Sequence, residues 1–419
     1  MKHLRIAMLA LAALLLALPA QAQNQGRRWY VSQANGSNKN DGSQGSPLKN
    51  IQKAIDMAAS GDVICVAEGN YYGLLNSGNI KINKGVSIVG GWASDFSRRD
   101  ILAHRTYIQP TATSNGSAQG QGTIQINVMQ AGTLVELDGL IMDRGNSVAY
   151  NPRGEGKPAD VETAMMQPIG SSGVGAPGVP ESQIYTTETA IVYINTGSKC
   201  DVTIRNCAFL NGPNYGLLGS TYATKITVDN CIFVNIRMAA VELRGASAAM
   251  NSRTYFSNNT VLFAWSRLKD LTDMGYGYRY LPRMDSYLDH NIFGCCTFAA
   301  LDRTHVDAPA AKEAERETSC ENSLFFHNRE ADLTLPGGGK AMRVRVDDFD
   351  DVEQLKKASG NEKAADGDFL QGRINQAYLQ GFLAAGGTKP TMFANHYPVE
   401  DALKLFGAMP GYGAQLPKN

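Results

Sequence analysis

The sequence predicts an all-β parallel solenoid, and two observations carry that prediction. The first is a repeated pattern: VTIRNCAFLN (202–211) returns 24 residues later as ITVDNCIFVN (226–235). It continues in TYFSNNTVLFA (254–264), SYLDHNIFGC (286–295) and TSCENSLFFHN (318–328). In each copy alternating residues lead to a polar position, and an apolar residue follows three later. The polar members are Asn206, Asn230, Asn259, His290 and Asn322; the apolar members are Phe209, Phe233, Leu262, Phe293 and Phe325. The second observation is a further strand-like run between the copies: TAIVYIN (189–195), NYGLLGS (214–220), AAVELRG (239–245) and FAALDRT (298–304). Units of about three short strands, with copy spacings of 24, 29, 31 and 32 residues, describe stacked coils rather than a closed globule.

Stacking explains the residue types. Equivalent residues of adjacent coils lie about 4.8 Å apart. Inward apolar side chains then rest on their own kind, and an Asn at a bend can bond the coil above or below. Asn206, Asn230 and Asn259 are therefore read as an Asn ladder. Cys207 and Cys231 stack in the same way; their separation falls within the Cα window of about 4.4–6.8 Å for a disulfide, so a bridge and two buried thiols both fit. LVELDGLIMD (134–143) and GVSIVGGWAS (85–94) are weaker upstream copies, with Asp138 and Gly90 or Gly91 at the bend.

Composition narrows the function classes. The 419 residues carry 39 basic and 39 acidic side chains, which argues against a nucleic-acid partner held by bulk charge. The chain opens with a basic start (Lys2, His3, Arg5), an apolar run from Ile6 to Leu18, and Ala20-Gln21-Ala22. That pattern is a secretory signal peptide over 1–22, and the run is too short to span a bilayer comfortably. The expected location is periplasmic or secreted, with no membrane span and a monomeric state. The seven cysteines are odd in number, so at least one is unpaired or pairs between molecules. No C-x-x-C occurs and the six histidines are scattered, so no metal site is assigned.

The segment WYVSQANGSNKNDGSQGSPLKNIQKAIDMAASGDVICVAEGNYYG (29–73) adds specificity. It reads as a first strand, a polar loop, a short helix with Ile51, Ala54, Ile55 and Ala58 at helical spacing, and a second strand. With the repeats that follow, it resembles the opening of the secreted right-handed parallel β-helix proteins of the pectate-lyase-like superfold, over roughly 28–335. The resemblance implies a right-handed parallel β-helix (solenoid) with an N-terminal capping helix and a mixed helix/loop C-terminal tail. The expected organisation is a signal peptide at 1–22, a β-helix domain over 23–340 and a capping, partly helical tail over 341–419. A helix over the end of the stack covers an apolar cross-section that would otherwise aggregate.

The resemblance also implies a polysaccharide partner, lying along the first strand of successive coils between inserted loops at about 144–188, 265–285 and 307–319. Alternation in AAVELRG turns Val241 and Leu243 inward and Glu242 and Arg244 outward. Tyr193 and Asn195 take the same positions in TAIVYIN. Asp302 is matched to Arg244, with Arg303 and His305 just beyond. DMGYGYRYLPRMD (273–285) supplies Tyr276, Tyr278, Arg279, Tyr280 and Arg283, near Arg267 and Lys269. Aromatic faces stack on sugar rings and guanidinium groups fork onto carboxylates. An acidic glycan suits the local basic residues. If the protein cleaves it, a lyase is expected before a glycoside hydrolase. Elimination on a uronate needs a cation for the enolate-like intermediate, here Arg244 or Arg303, and a base, here Tyr280 or His305. Glu242 and Asp302 are the first-strand carboxyl pair that inverting hydrolysis would use. The candidate catalytic residues are thus Glu242, Arg244, Tyr280, Arg303 and His305. The candidate binding residues are Tyr193, Asn195, Arg267, Lys269, Tyr278, Arg283 and Asp302. The same residues also fit an ordinary solvated face or a structural, adhesive protein. No specific enzyme signature of the superfold is matched. No cofactor is expected; calcium is the one metal to consider, through Asp201 and Asp229.

Overall fold

The computed structural model describes residues 26–73, 79–109, 122–143, 190–212, 215–236, 238–247, 251–265, 275–304, 317–364, 369–384 and 397–418. Among these, the strands form three nine-stranded sheets, and the chain visits them in fixed order, coil after coil. Sheet I holds the first strand of each coil, from Ile80–Ile82 through Ala239–Gly245 to Ala331–Leu335. Sheet II holds the second, from Arg28–Val31 through Lys225–Asp229 to Thr318–Glu321. Sheet III holds the third, from Gly69–Tyr71 through Ile232–Ile236 to Leu324–Phe326. Neighbouring coils pair in parallel, and among the described residues the one antiparallel strand pair is Ala331–Leu335 with Met342–Val344 at the C-terminal end of sheet I. The fold is a right-handed parallel β-helix, the hand expected of parallel crossover connections.

The interior is built from stacks of like residues. Phe209 and Phe233 are in register on sheet III, with centroids 4.2 Å apart and planes 14° from parallel. The stack continues through Val261, Phe293 and Phe325, all fully buried. The N-terminal helix α1 (Ile51–Met57) buries Ile51, Ala54 and Ile55 against the first coils. At the other end the 3-10 turn Val346–Asp351 places Val346 and Phe349 against the same core.

The Asn ladder is present, with one slip from the sequence reading. Asn230 Nδ2 donates to Asn206 Oδ1 at 2.7 Å, and Asn206 Nδ2 donates to Asp138 Oδ1 at 2.8 Å. The next rung is Asn258, not Asn259. Asn206, Asn230, Asn258, His290 and Asn322 all have positive φ, between 47° and 56°, a conformation Asn tolerates at a single-residue corner. Gly139, at φ 71°, takes the corner one coil earlier. Asn259 instead follows Cys207 and Cys231 in a second, inner ladder: Cys231 N donates to Asn259 Oδ1 and Asn259 N to Asn291 Oδ1, each at 2.9 Å. The slip moves the apolar member too. Val261, not Leu262, points inward. In SNNTVLF two adjacent Asn residues offer two registers, and a one-residue shift exchanges the faces of the whole strand. Cys207 and Cys231 are buried free thiols, as are the other five cysteines.

The chain after the last coil lies lengthwise on sheet III. Ile232, Val234, Leu262, Ile292 and Leu324 point outward there. They are buried by Leu379 and Phe382 of helix α2 (Gln376–Ala384), by Tyr397, and by Leu403 of helix α3 (Val399–Leu403). Tyr397 N donates to Asn211 Oδ1 at 2.8 Å, and Gln415 N to Asn230 Oδ1 at 2.6 Å. Among the described residues, the C-terminal chain covers the outer face of sheet III and not those of sheets I and II.

Candidate functional site

The outer face of sheet I consists of rows that cross the strands at one residue per coil. One row runs Tyr193, Leu218, Glu242, Arg279, Asp302; its neighbour runs Asn127, Asn195, Ser220, Arg244. The expected outward positions of Tyr193, Asn195, Glu242 and Arg244 are thus those observed. Asp302 is aligned with Glu242 rather than with Arg244, because Arg279 stands between Glu242 and Asp302 in register.

Arg279 organises the first row. Its Nη1 donates to Glu242 Oε2 at 2.8 Å and its Nε to Asp302 Oδ2 at 3.0 Å. The Asp302 side chain is fully buried, and those of Glu242 and Arg279 are 17 % and 16 % exposed. Asp302 Oδ1 also accepts from the hydroxyls of Thr304 (2.7 Å) and Thr334 (2.8 Å). Burial alone would lower the Arg279 pKa; the Asp302 and Glu242 carboxylates outweigh it and hold the guanidinium charged. Tyr276 packs beneath, its ring centroid 4.8 Å from the guanidinium carbon.

Several expected site residues lie elsewhere. Tyr278 and Tyr280 are not on the outer face: both are fully buried in the core, in register with Val241 and Leu243. Burial pushes the Tyr278 hydroxyl up to about 12 and that of Tyr280 well above its ordinary range. Tyr280 donates its proton to the Ser319 carbonyl at 2.9 Å, so it cannot serve as a base toward solvent. Arg303 is 6 % exposed and turns inward to Thr318 and the Gln354 carbonyl, closing the last coils rather than meeting substrate. Arg283 sits at the corner after sheet I, with a 3.5 Å contact to the Ala246 carbonyl. Arg267, Lys269 and His305 lie outside the described residues, as do the insertion at 144–188, most of the one at 307–319 and the segment 1–22. Asp201 and Asp229, weighed as calcium ligands, accept from Lys225 N and Asn258 Nδ2. Among the described residues no group of three His, Cys, Asp or Glu could hold a metal ion.

Arg279 is the residue the sequence reading missed as the organiser of this row. The signal was available. Val241 and Leu243 are inward, and the same parity applied to YGYRY turns Tyr278 and Tyr280 in and Arg279 out. Arg244, by contrast, is exposed and makes no ion pair or hydrogen bond with the described residues. Asn195 Nδ2 donates to Asn127 Oδ1 at 3.3 Å along the same row. A separate cavity of about 550 Å³ lies between the Asn-ladder corner and the C-terminal residues Gln415 and Lys418. Its ladder side chains bond one another and the tail.

Three stacked sheets, an Asn-lined corner and a covered N-terminal end define a right-handed parallel β-helix. Residues 34–261 match the family described as "Protein of unknown function (DUF1565)", and the chain belongs to that family. No curated protein matches the sequence. Among solved structures, a pectin methylesterase mutant in complex with a hexasaccharide is 12 % identical with a TM-score of 0.40, covering 80 % of this chain and 89 % of that one. A rhamnogalacturonan lyase is 12 % identical with a TM-score of 0.37, covering 93 % and 100 %. A lacto-N-biosidase from Eubacterium ramulus is 11 % identical with a TM-score of 0.40, covering 82 % and 56 %.

Proposed function

We propose that this protein is an exported glycan-binding β-helix that holds an acidic polysaccharide along the outer face of sheet I. The observation that carries the reading is Arg244. It is an exposed guanidinium without an ion-pair partner among the described residues, ending a row of Asn127, Asn195 and Ser220 beside the half-buried Tyr193. Side chains repeating at about 4.8 Å can each meet a polar group of an extended sugar chain. Arg244 can then fork onto a carboxylate. Binding is favoured over cleavage because, among the described residues, the outward row of sheet I has no carboxyl pair with room for a water between its members. Glu242 and Asp302 flank a guanidinium bonded to both, so the space a hydrolytic water would need is filled.

The test is a titration of the purified protein with oligogalacturonate at low and physiological salt. Binding is expected to weaken as salt shortens the reach of exposed charge to about 8 Å. Arg244→Ala is expected to lower affinity about tenfold, the scale of one charge-assisted hydrogen-bonded contact. Lys53→Ala, an exposed lysine of α1, is expected to change nothing. An Arg244→Ala protein that binds as tightly as the wild type, or no binding by either, contradicts the reading.

A further inference from the structure

Sheet II carries an aromatic pair on its open face. Tyr255 and Tyr287 are in register on adjacent strands, their ring centroids 5.1 Å apart and their planes 18° from parallel. Their strand neighbours Thr254, Phe256, Ser286 and Leu288 are buried, so the tyrosines stand on the outer side. The row continues to Thr227 on one side and Ser319 on the other. Those side chains are too short to cover a phenol ring; Lys225 lies over Tyr255, so the face of Tyr287 turned toward Ser319 is the one the row leaves open. Tyr287 is held in place: its hydroxyl donates to Glu317 Oε2 at 2.5 Å. Lys225 Nζ lies 5.5 Å from the Tyr255 centroid, so an ammonium group already uses that ring.

The charge around the pair selects the ligand. Asp285 and Asp289 flank Tyr287 on its own outward face, and Glu317 and Glu321 lie on the next coil. Against these four carboxylates stand three cations: Arg253, whose Nε is 3.8 Å from Asp285 Oδ2, Lys225 over the Tyr255 ring, and Lys357, bridged to Ser319 at the end of the row. An anionic sugar would meet like charge here, whereas a cationic one would be complementary.

We propose that the Tyr255–Tyr287 pair is a second binding site, for a glycan that carries free amino groups. A pyranose ring packs on a tyrosine face, and its ammonium is held by the carboxylates of Asp285 and Glu317. The site is independent of the sheet I strip, which ends in Arg244 and selects the opposite charge.

The experiment titrates the full chain with an oligomer of β-1,4-linked glucosamine, at a pH where its amines are protonated, and with the N-acetylated oligomer of equal length. The glucosamine oligomer is expected to bind at least about tenfold more tightly. Tyr255→Ala and Tyr287→Ala are each expected to lose about tenfold. Glu317→Gln, which leaves both rings in place, is expected to lose affinity and salt dependence together. Tyr222→Ala, at a tyrosine 41 % exposed outside the row, is expected to bind as the wild type does. Oligogalacturonate affinity measured on Tyr255→Ala separates the two sites, because it reads sheet I alone. Equal affinity for the two glucosamine oligomers, no affinity for either, or full affinity in both Tyr255→Ala and Glu317→Gln overturns the proposal.

Discussion

Arg279→Ala is expected to lower the unfolding free energy by about 3–5 kcal/mol, the scale for breaking a buried ion pair by removing one partner. Asp302 is fully buried, and its Oδ2 takes the Arg279 Nε–H. The hydroxyls of Thr304 and Thr334 satisfy Oδ1 only. Without the guanidinium, a carboxylate is left in the interior with no counter-charge. Denaturant unfolding should show a lower midpoint with an unchanged slope. Adding Asp302→Asn should recover part of the loss, because the uncompensated charge goes with it. Arg244→Ala on the next row should stay within about 0.5 kcal/mol, as an exposed substitution does. If Arg279→Ala is as mild as Arg244→Ala, the Glu242–Arg279–Asp302 row does not exist in solution.

Phe233→Ala is expected to cost about 3–5 kcal/mol as a large-to-small change in a close-packed core. Its ring lies between Phe209, at 4.2 Å, and Phe256, at 5.8 Å between centroids. Coils above and below are fixed by backbone pairing, so the cavity cannot collapse along the solenoid axis. Thermal unfolding should show the loss. A cost below about 1 kcal/mol would mean that Phe233 is not in the stack.

The solenoid was legible because stacking forces like residues onto like. The Asn-Cys-x-Phe copies at 206 and 230 mark one corner and one inward column with little ambiguity. The register failed where the sequence offers two choices. Asn258 and Asn259 both suit a corner, and only the interlocking of Asn259 with Cys231 and Asn291 decides between them. The same weakness affected the site. In YGYRY the tyrosines look like sugar-stacking groups, yet parity sends Tyr278 and Tyr280 inward and leaves Arg279 outside. Coverage of sheet III has a signal in the sequence. AFLNG, IFVNI and TVLFA are apolar on both parities, which marks strands buried on both faces. What lies on them is set by contacts from residues 369–418, more than a hundred positions away, and no local pattern encodes that.

A crystal structure of the protein with an oligogalacturonate decides whether sheet I carries an acidic glycan. The sugar chain should cross the strands along Asn127, Asn195 and Ser220, with a carboxylate paired to Arg244 and Tyr193 beside a ring. Oligosaccharide seated on sheet II, or sheet I left bare in crystals soaked at concentrations that saturate binding in solution, would contradict it.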